Sequence, residues 1–386
     1  MRPTRVRRLL ALLVLLVTLA TRLQAQEEDE GERGTAWRLS YFPYLSGGAN
    51  DGPVVSAKVR YWQPAEYEDR VTANAALDAG AGISPRGSRY VGARFSAPQL
   101  IAGWRFKVGA IADRQVRFGY FGLGNDTEKN DDLVTDDVPF LYRVRRTRYE
   151  GIFEATRRLH GPLQLAFQGD FESVRFSSLP GPSTFTADFG DELKQDDAAG
   201  RIALVYDTRD VEYNTKRGLL LEAGAQAGSG GDGYTRLYSV LRGYVQVREG
   251  TVVAVRLAGS GMGGTPTLNA RFDLPAWEHH ISVLGGEQSH RAVDTGRLAG
   301  KGTLFGNLEV RHELINVGDF GAVTLLAFVD AGRVFEEESF RLTTDDMAVG
   351  GGGGIGLRIW RDAIFTFNFA GGPDGFNFEV GSGWMF

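Results

Sequence analysis

The sequence predicts an all-β fold: a transmembrane antiparallel β-barrel of about sixteen strands, with one long loop folded into the lumen. Three observations lead to this prediction. Apolar and polar residues alternate with no helical stretch, the alternating stretches are long, and the connections between them are alternately short and long. A soluble β-sandwich would share the first feature, but the combination is typical of a barrel that crosses a membrane.

The alternation also separates charged residues from apolar ones. In 301–314, Leu304, Leu308 and Val310 lie on one face, whereas Glu309 and Arg311 lie on the other. A charge that faces hydrocarbon costs about 2–4 kcal/mol at the middle of the bilayer, whereas a wet lumen tolerates it. We therefore assign to the lumen the charged residues of the same parity in several strands, namely Glu222, Arg256, Glu309, Arg311 and Arg358.

The lengths of the strands and connections support the barrel over the sandwich. Leu100–Arg117, Phe140–Arg158 and Tyr234–Val247 are longer than the usual globular strand of about 5–6 residues. A short turn is predicted at 97–99, and the longest loop at 263–300. Alternating short turns and longer loops indicate a periplasmic and an extracellular end.

The N-terminus predicts export. Four Arg residues precede the apolar stretch Leu9–Ala20, which is typical of a secretory signal peptide at 1–25 and of export through the Sec pathway. A short polar tail at 26–36 and the barrel at 37–386 follow. Removing 1–25 takes away five Arg and no acid, so the net charge changes from −5 to −10. This acidic balance argues against a nucleic-acid partner.

No motif predicts a catalytic residue, a metal or a cofactor. The chain has no Cys, which excludes thiolate metal sites. The stretch GRLAGKGT at 296–303 lacks the spacing of a phosphate-binding loop, and the acidic loop 120–139 lacks the Gly that a calcium loop requires. There is no G-x-S-x-G motif, so we expect no enzyme, although a lipase with Ser and His on the outer rim stays an open alternative.

The loop 263–300 is too apolar to extend into water, since it includes Phe272, Trp277 and Leu284. We therefore expect it to fold inward and plug the lumen. Arg291 would then need buried partners. The acids of suitable parity on the next two strands are Glu309 and Asp330. Alternatively, Arg291 is exposed on the cell surface.

Seven stretches together resemble the bacterial surface antigen superfamily of outer-membrane barrels. This family includes the outer-membrane protein assembly factor, the translocation and assembly module barrel and the two-partner secretion transporters. The stretches occur in family order over the mature chain and are YFGLGNDT at 120–127, YDTRDVEYNTKRG at 206–218, LGGEQSHRAV at 284–293, GNLEVRHEL at 306–314, FVDAGRVF at 328–335, GGIGLRI at 353–359, and the final Phe386.

The resemblance implies sixteen strands, a loop after the eleventh strand that returns through the lumen, and a loop lock in which Arg291 pairs with Glu309 and Asp330. The family's loop tip reads apolar residue, Arg, Gly, then Phe or Tyr. Here the tip is His290 to Val293, and only Arg291 is retained.

The resemblance also implies a function and a place for it. The barrel would insert or translocate proteins or lipids at the bacterial outer membrane, through a lateral seam between the first strand, Trp37–Leu45, and the last, Asn377–Phe386. Gly381 and Gly383 would weaken this seam, because Gly packs nothing and loses the most entropy on ordering. The apolar face of the last strand would touch lipid and carry the insertion signal, which comprises Phe378, Val380, Trp384 and Phe386.

The resemblance implies partners as well. These are outer-membrane lipid and unfolded outer-membrane protein clients. The family's assembly factors carry polypeptide-transport-associated domains, for which 26–36 is too short, so we expect a short branch served by a separate periplasmic domain protein. The alternative function is a passive pore or a structural surface protein, in which Arg256 and Arg358 would set ion selectivity.

Overall fold

The computed structural model describes residues 36–46, 50, 52–337 and 340–386. The expected signal peptide and nearly all of the polar tail lie outside the described residues. The main sheet of the described chain is antiparallel and has sixteen strands, as predicted, and a second sheet of two short strands pairs Asp273–Leu274 with Ile281–Ser282. The strands of the main sheet are β1 (Arg38–Ser46), β2 (Val54–Pro64), β3 (Ala73–Ile83), β4 (Arg89–Ile101), β5 (Trp104–Gly119), β6 (Arg143–His160), β7 (Leu163–Ser177), β8 (Glu192–Asp207), β9 (Gly218–Gly228), β10 (Gly233–Arg248), β11 (Thr251–Thr265), β12 (Gly302–Asn316), β13 (Gly321–Phe335), β14 (Ala348–Ile359), β15 (Ala363–Gly372) and β16 (Gly375–Ser382).

Every strand pairs with its neighbours in the chain, and β11 pairs with β12 across the longest loop. β1 and β16 are the two edges of the sheet and are not hydrogen-bonded to each other. A short α-helix, α1 (Thr184–Phe189), lies between β7 and β8, and the described connections also contain 3₁₀ turns at Asp131–Leu133, Asn269–Phe272 and Gly318–Phe320. Among the residues described, no helix is long and apolar enough to cross a membrane.

In the strands, alternate side chains point to the outer face and to the lumen, as the sequence predicted. Large apolar side chains such as Leu237, Val245 and Leu257 point outward and are exposed. The assigned lumen charges Glu222, Arg256, Glu309 and Arg311 are buried inside, because the loop between β11 and β12 covers them. The faces therefore match a barrel with a lipid-facing surface and a filled lumen.

Two details of the strands differ from the prediction. Leu100–Arg117 is not one strand, since β4 continues to Ile101 and the turn lies at Ala102 and Gly103. Pro98 stays inside β4, where the register breaks between Ala97 and Ile101, so its missing N–H removes no ladder hydrogen bond. The alternation of connection lengths also has exceptions. Two connections at the end where short turns were expected, 65–72 and 208–217, are longer than the connections that follow them, 84–88 and 229–232.

The chain end corrects a larger expectation. β16 ends at Ser382 rather than continuing to Phe386. Gly383 adopts φ 91°, which favours Gly, and the chain turns into the lumen. Phe376 and Phe378 are 72% and 44% exposed on the outer face, whereas Phe386 is only 7% exposed. The expectation that Trp384 and Phe386 face lipid is therefore wrong.

Candidate functional site

The loop between β11 and β12, residues 266–301, lies inside the barrel, and we call it the lumen loop. Its apolar residues Trp277, Ile281 and Leu284 are buried against wall residues such as Leu220 and Val240. Fully burying one such side chain stabilises the packed state by about 1.5–3 kcal/mol. Hydrophobic burial therefore explains why the loop folds inward.

Arg291, near the loop tip, lies between Glu309 of β12 and Asp330 of β13. Its Nη1 donates to Glu309 Oε2 at 2.5 Å, and its Nε and Nη2 donate to the two oxygens of Asp330, each at 2.9 Å. Its backbone N–H also donates to Asp330 at 3.0 Å. The guanidinium lies over the ring of Phe328, 3.4 Å from the centroid. Arg291 is thus buried in the lumen, not exposed on the cell surface.

Burial disfavours the charged guanidinium, but the two carboxylates outweigh this and raise the pKa of Arg291 above its ordinary value.

The hydrogen-bond network around Arg291 continues on both sides. Asn307 donates to Asp330 and to the backbone of Ser289, at 2.8 and 2.7 Å. Arg311 donates to the other oxygen of Glu309 at 2.6 Å. The sequence reasoning therefore identified the pair of acids around Arg291 but not these neighbours.

Five consecutive glycines in β14, residues 350–354, form a glycine run that makes room for the loop tip. A Cβ on Gly350 would lie 2.2 Å from Cβ of Ala292, and a Cβ on Gly372 would lie 2.8 Å from it. These distances are too short for real side chains, so the close approach requires Gly. The run therefore serves close packing of the backbone against the loop.

A second anchor, which sequence reasoning missed, holds the loop at Glu278. Arg209 donates to one of its carboxylate oxygens at 2.7 Å and Arg242 to the other at 3.0 Å. Burial opposes the charge of Glu278, but Arg209 and Arg242 outweigh it and lower its pKa. The backbone N–H of Trp277 donates to Glu222 at 2.6 Å. The available signal was Arg209, which belongs to the family-like turn at 206–218.

Side chains, not a strand ladder, bridge the seam between β1 and β16. Near the periplasmic end, Arg60 of β2 pairs with Asp362 at 3.5 Å. The ring of Phe42 in β1 stacks on Phe365 of β15 at 5.8 Å, next to Ser382, where β16 ends. Arg361 donates to the hydroxyl of Tyr213 at 2.7 Å and to the carbonyl of Asp69 at 3.1 Å.

The predicted seam residues lie at different places. Trp37 precedes β1 and stacks on Tyr61 at 4.9 Å, and the backbone of Leu45 pairs with Val55. Gly381 is close to the lumen loop, since a Cβ there would be 3.3 Å from the Glu287 carboxylate. Gly383 and Phe386 lie beyond the last strand, in a segment 383–386 that we call the tail.

The tail docks on two arginines of the barrel wall. Arg311 donates to the main-chain oxygen of Phe386 at 2.9 Å. Arg256 lies 3.5 Å from the carbonyl oxygen of Met385, and it also donates to the loop at Gln288 O at 2.7 Å. Arg256 therefore contacts both the tail and the lumen loop, whereas Arg311 is linked to the loop only through Glu309, which pairs with Arg291.

A cavity of about 690 Å³ remains in the lumen, on the periplasmic side of the loop. Residues from both sides of the seam line it, including Arg60 and Ser382, together with Glu278, Glu287 and the tail. Within the described ranges, no group of three or more His, Asp or Glu side chains could hold a metal ion.

Comparison with known proteins agrees with this geometry. The Omp85 superfamily domain matches residues 56–381. No curated protein matches the chain. BamA from Haemophilus ducreyi, in a structure lacking POTRA domains 1–3, is similar with a TM-score of 0.57 and 11% identity over 91% of this chain and 70% of that one. CdiB from Escherichia coli gives 0.57 and 11% over 89% and 62%, and CdiB from Acinetobacter baumannii gives 0.51 and 12% over 89% and 59%.

At these identities the structural likeness shows the fold alone. The chain spans 62% and 59% of the two CdiB chains, so their activities are not transferred to it. The match of the family model covers most of the chain and confirms the predicted resemblance and the predicted outer-membrane barrel. The chain belongs to the Omp85 superfamily.

Proposed function

We propose that this barrel assists the insertion or translocation of proteins at the bacterial outer membrane, through the seam between β1 and β16. One observation carries the proposal: these strands are the two edges of an otherwise continuous sheet and share no backbone hydrogen bonds. An unpaired edge is a template for another strand, and strand addition is a common mode of peptide recognition. A client strand could therefore pair where β1 and β16 do not.

The contacts that bridge the seam are weak. The pair of Arg60 with Asp362 is partly exposed, and exposed ion pairs contribute about 0–1 kcal/mol. The stacked rings of Phe42 and Phe365 add about 0.5–1.5 kcal/mol beyond the area that they bury. Opening the seam would break these side-chain contacts without disrupting a strand ladder.

The two sides of the seam are held unequally, which indicates the side that moves. On the β16 side, Asp374 in the last hairpin accepts from the backbone N–H of Asp294 at 3.0 Å and pairs with Arg297 at 3.3 Å, so the hairpin is attached to the lumen loop. On the β1 side the attachment to the loop is weaker, since Asn50 donates to the carbonyl oxygen of Thr295 at only 3.4 Å, and a cavity of about 400 Å³ lies along β2 to β6. We propose that the β1 side swings while β16 stays attached to the loop.

The proposed clients are unfolded outer-membrane proteins, and a separate periplasmic domain protein would deliver them. Outer-membrane lipid would contact the exposed apolar face next to the seam. The role is one of transport or assembly and not of catalysis, in line with the superfamily.

The test is to close the seam chemically. Cys replaces Phe42 and Phe365, and a short bifunctional thiol reagent joins them; the natural chain has no Cys that would compete. The matched control joins Cys at Val245 and Val253, which already pair within one hairpin. We expect the first crosslink to abolish client insertion into vesicles and the second to leave it unchanged. Insertion that continues with a closed seam would refute the proposal.

The pore alternative would use Arg256 and Arg358 to set ion selectivity, but both side chains are engaged in hydrogen bonds. Arg256 donates to Gln288 O and to Asn307 at 2.7 and 2.9 Å, and Arg358 donates to the backbone of Trp360 and Gly318 at 2.6 and 2.9 Å. In planar bilayers we expect a quiet barrel that conducts steadily only after Arg291→Ala. A large steady conductance of the unaltered barrel would favour the pore.

A further inference from the structure

Three arginines lie together on the outer face of the barrel, at the extracellular end of three adjacent strands. Arg89 begins β4, Arg114 is near the end of β5, and Arg145 is near the start of β6. Arg89 is directly opposite Arg114 in the sheet. Arg114 is opposite Thr147, which precedes no other outward residue between itself and Arg145 on β6. We call these three residues the arginine cluster.

Alternation along the strands fixes the direction of these side chains. Tyr149 shares the parity of Arg145 and is 58% exposed on the outer face. Asp113 and Arg146, the chain neighbours of Arg114 and Arg145, are buried in the lumen, where their charged groups lie 3.8 Å apart. The arginine cluster therefore faces away from the lumen and from its acids.

The cluster has no counter-charge of its own. None of its side chains forms an ion pair in the part of the chain that the structure describes, and Nε of Arg114 and Nε of Arg145 have no hydrogen-bond partner there. Asp113 pairs instead with Arg148 at 2.7 Å, inside the lumen. Like charges directly opposite each other in a sheet are destabilising. An anion held between the arginines would remove this repulsion.

Farther along the same row of the sheet, the protein supplies the counter-charge itself. Arg175 of β7, opposite Thr147, pairs with Glu192 at 3.8 Å. Lys194 of β8, opposite Arg175, has Glu192 and Asp196 two positions away on either side of it in the same strand. Within this row the uncompensated charge therefore lies on β4, β5 and β6.

The cluster lies at the edge of the lipid-facing band. The outward positions of β6 between Arg145 and Arg157 are uncharged and are Thr147, Tyr149, Gly151, Phe153 and Ala155. A strand that rises about 3.4 Å per residue and tilts by about 40° carries Arg145 and Arg157 about 30 Å apart across the membrane. The apolar band of such a barrel is about 25 Å tall. Arg145 is therefore at the level of the lipid headgroups on the extracellular side, and Arg157 at that level on the periplasmic side.

We propose that the arginine cluster is a binding site for a lipid of the outer leaflet that carries phosphate groups on its headgroup. A guanidinium group can donate two parallel hydrogen bonds to one phosphate, which the ammonium group of Lys cannot. Arg89 and Arg114 would hold a phosphate between them, with Arg145 beside it. The acyl chains would lie along the apolar band next to Tyr149 and Phe153.

The position of the cluster favours a lipid over a soluble polyanion, because exposed apolar side chains lie directly below the charges. A bound lipid would tie together three strands of the wall. The site lies on β4 to β6 and not at the seam between β1 and β16, so it goes beyond the proposed function and does not depend on it.

The test is binding of lipid A to the full chain, refolded in a non-ionic detergent and checked by heat-modifiable migration on gels. The probes are lipid A with two phosphate groups and the same lipid after treatment with phosphatase, each titrated by native mass spectrometry. We expect the unaltered barrel to bind the phosphorylated form at least tenfold tighter, and this preference to weaken as salt is added, because exposed charges are screened. Equal binding of the two forms would overturn the site.

Variants locate the site on the wall. The combined change Arg89→Gln, Arg114→Gln and Arg145→Gln should weaken binding of the phosphorylated lipid at least tenfold. The matched control is Arg157→Gln, on the same face of β6 at its opposite end, which should change binding less than twofold. If the triple variant does not fold, Arg114→Gln alone takes its place, with an expected loss of at least threefold. Undiminished binding by the cluster variant would overturn the site.

A last arm asks whether the lipid part of the ligand matters. Inorganic pyrophosphate in hundredfold excess should displace little of the phosphorylated lipid, because it cannot use the apolar band. Displacement at equal concentrations would overturn the assignment to a lipid. Lipid binding requires no open seam, so its failure would leave the seam proposal standing, and a failed crosslinking test would leave the arginine cluster standing.

Discussion

The methyl group of Ala292, at the tip of the lumen loop, packs directly on the backbone of Gly350 in β14. A Cβ on Gly350 would lie 2.2 Å from that methyl group, well inside van der Waals contact. The loop tip and the glycine run are therefore a matched pair, in which the Ala that departs from the family's Gly uses the space that Gly350 leaves.

We expect Gly350→Ala to destabilise the barrel by about 1–3 kcal/mol, the usual cost of overpacking. Ala292→Gly should restore much of the loss, because it removes the clashing methyl group. The control is Gly371→Ala, where a Cβ would meet nothing within 4 Å. Urea unfolding of the single and double variants measures the coupling. Additive effects of the two changes would contradict the packing that we describe.

Arg291→Ala should cost about 3–5 kcal/mol, because it leaves Glu309 and Asp330 buried with their main partner removed. The expected readout is a lower unfolding midpoint together with faster proteolysis of the lumen loop. Arg175→Ala is the matched control, since Arg175 pairs with Glu192 at 3.8 Å with both side chains largely exposed. Equal stability of the two variants would mean that the loop lock contributes nothing to the fold.

Glu287 should make the stability of the folded barrel depend on pH. Its side chain is exposed to the lumen cavity near Gly381, but the surrounding barrel wall and loop displace most of the bulk water around the carboxyl group, and this desolvation raises its pKa to about 7. The folded state therefore holds the proton more tightly than the unfolded chain does. The stability that this provides is complete below the unfolded pKa of about 4.5 and is lost as the pH rises through about 7.

Glu287→Gln should remove this part of the pH dependence, so the variant should lose less stability than the natural chain between pH 5 and about 8. Unfolding midpoints over this range measure it. Glu249→Gln, in the periplasmic turn between β10 and β11, is the control. A pH dependence that is unchanged by Glu287→Gln would show that other groups titrate.

Arg361 should limit opening of the seam at its periplasmic end. It donates to Tyr213 and to the backbone of Asp69, and its guanidinium lies 4.7 Å from the Tyr67 ring. Arg361→Ala should ease opening by about 1–2 kcal/mol, which corresponds to about 5–30-fold faster labelling of a Cys at Ser40 on β1. Arg157→Ala, which only removes a contact with Trp104, should not change the rate. Equal labelling rates would place the restraint elsewhere.

Much of the barrel could be predicted because its pattern is local. The count of short and long connections predicted the number of strands, and period-two alternation predicted the inner face of Glu222 and Glu309. The apolar character of the long loop indicated its inward fold. The partners of Arg291 followed from parity and from the family resemblance.

The predictions that were wrong or incomplete have a common physical cause. In each case a single dihedral angle or a single contact determines the structure at a place where the regular sequence pattern indicates something else. Alternation continues through Trp384 and Phe386, but the positive φ of Gly383 ends the strand before them. Pro98 indicated a turn that lies instead at Gly103, because a register break accommodates it. The anchor at Glu278 depends on Arg209 and Arg242, distant residues whose meeting no local pattern encodes.

The most direct measurement asks whether a client strand meets the unpaired edge. A client with one Cys in its last strand is trapped during insertion against single Cys residues placed at Tyr41 on β1 or at Leu221 on β9, both outward-facing and exposed. We predict disulfide-linked client at Tyr41 and none at Leu221, which lies in a fully paired strand. Efficient insertion without trapping on β1 would contradict the proposed role of the seam.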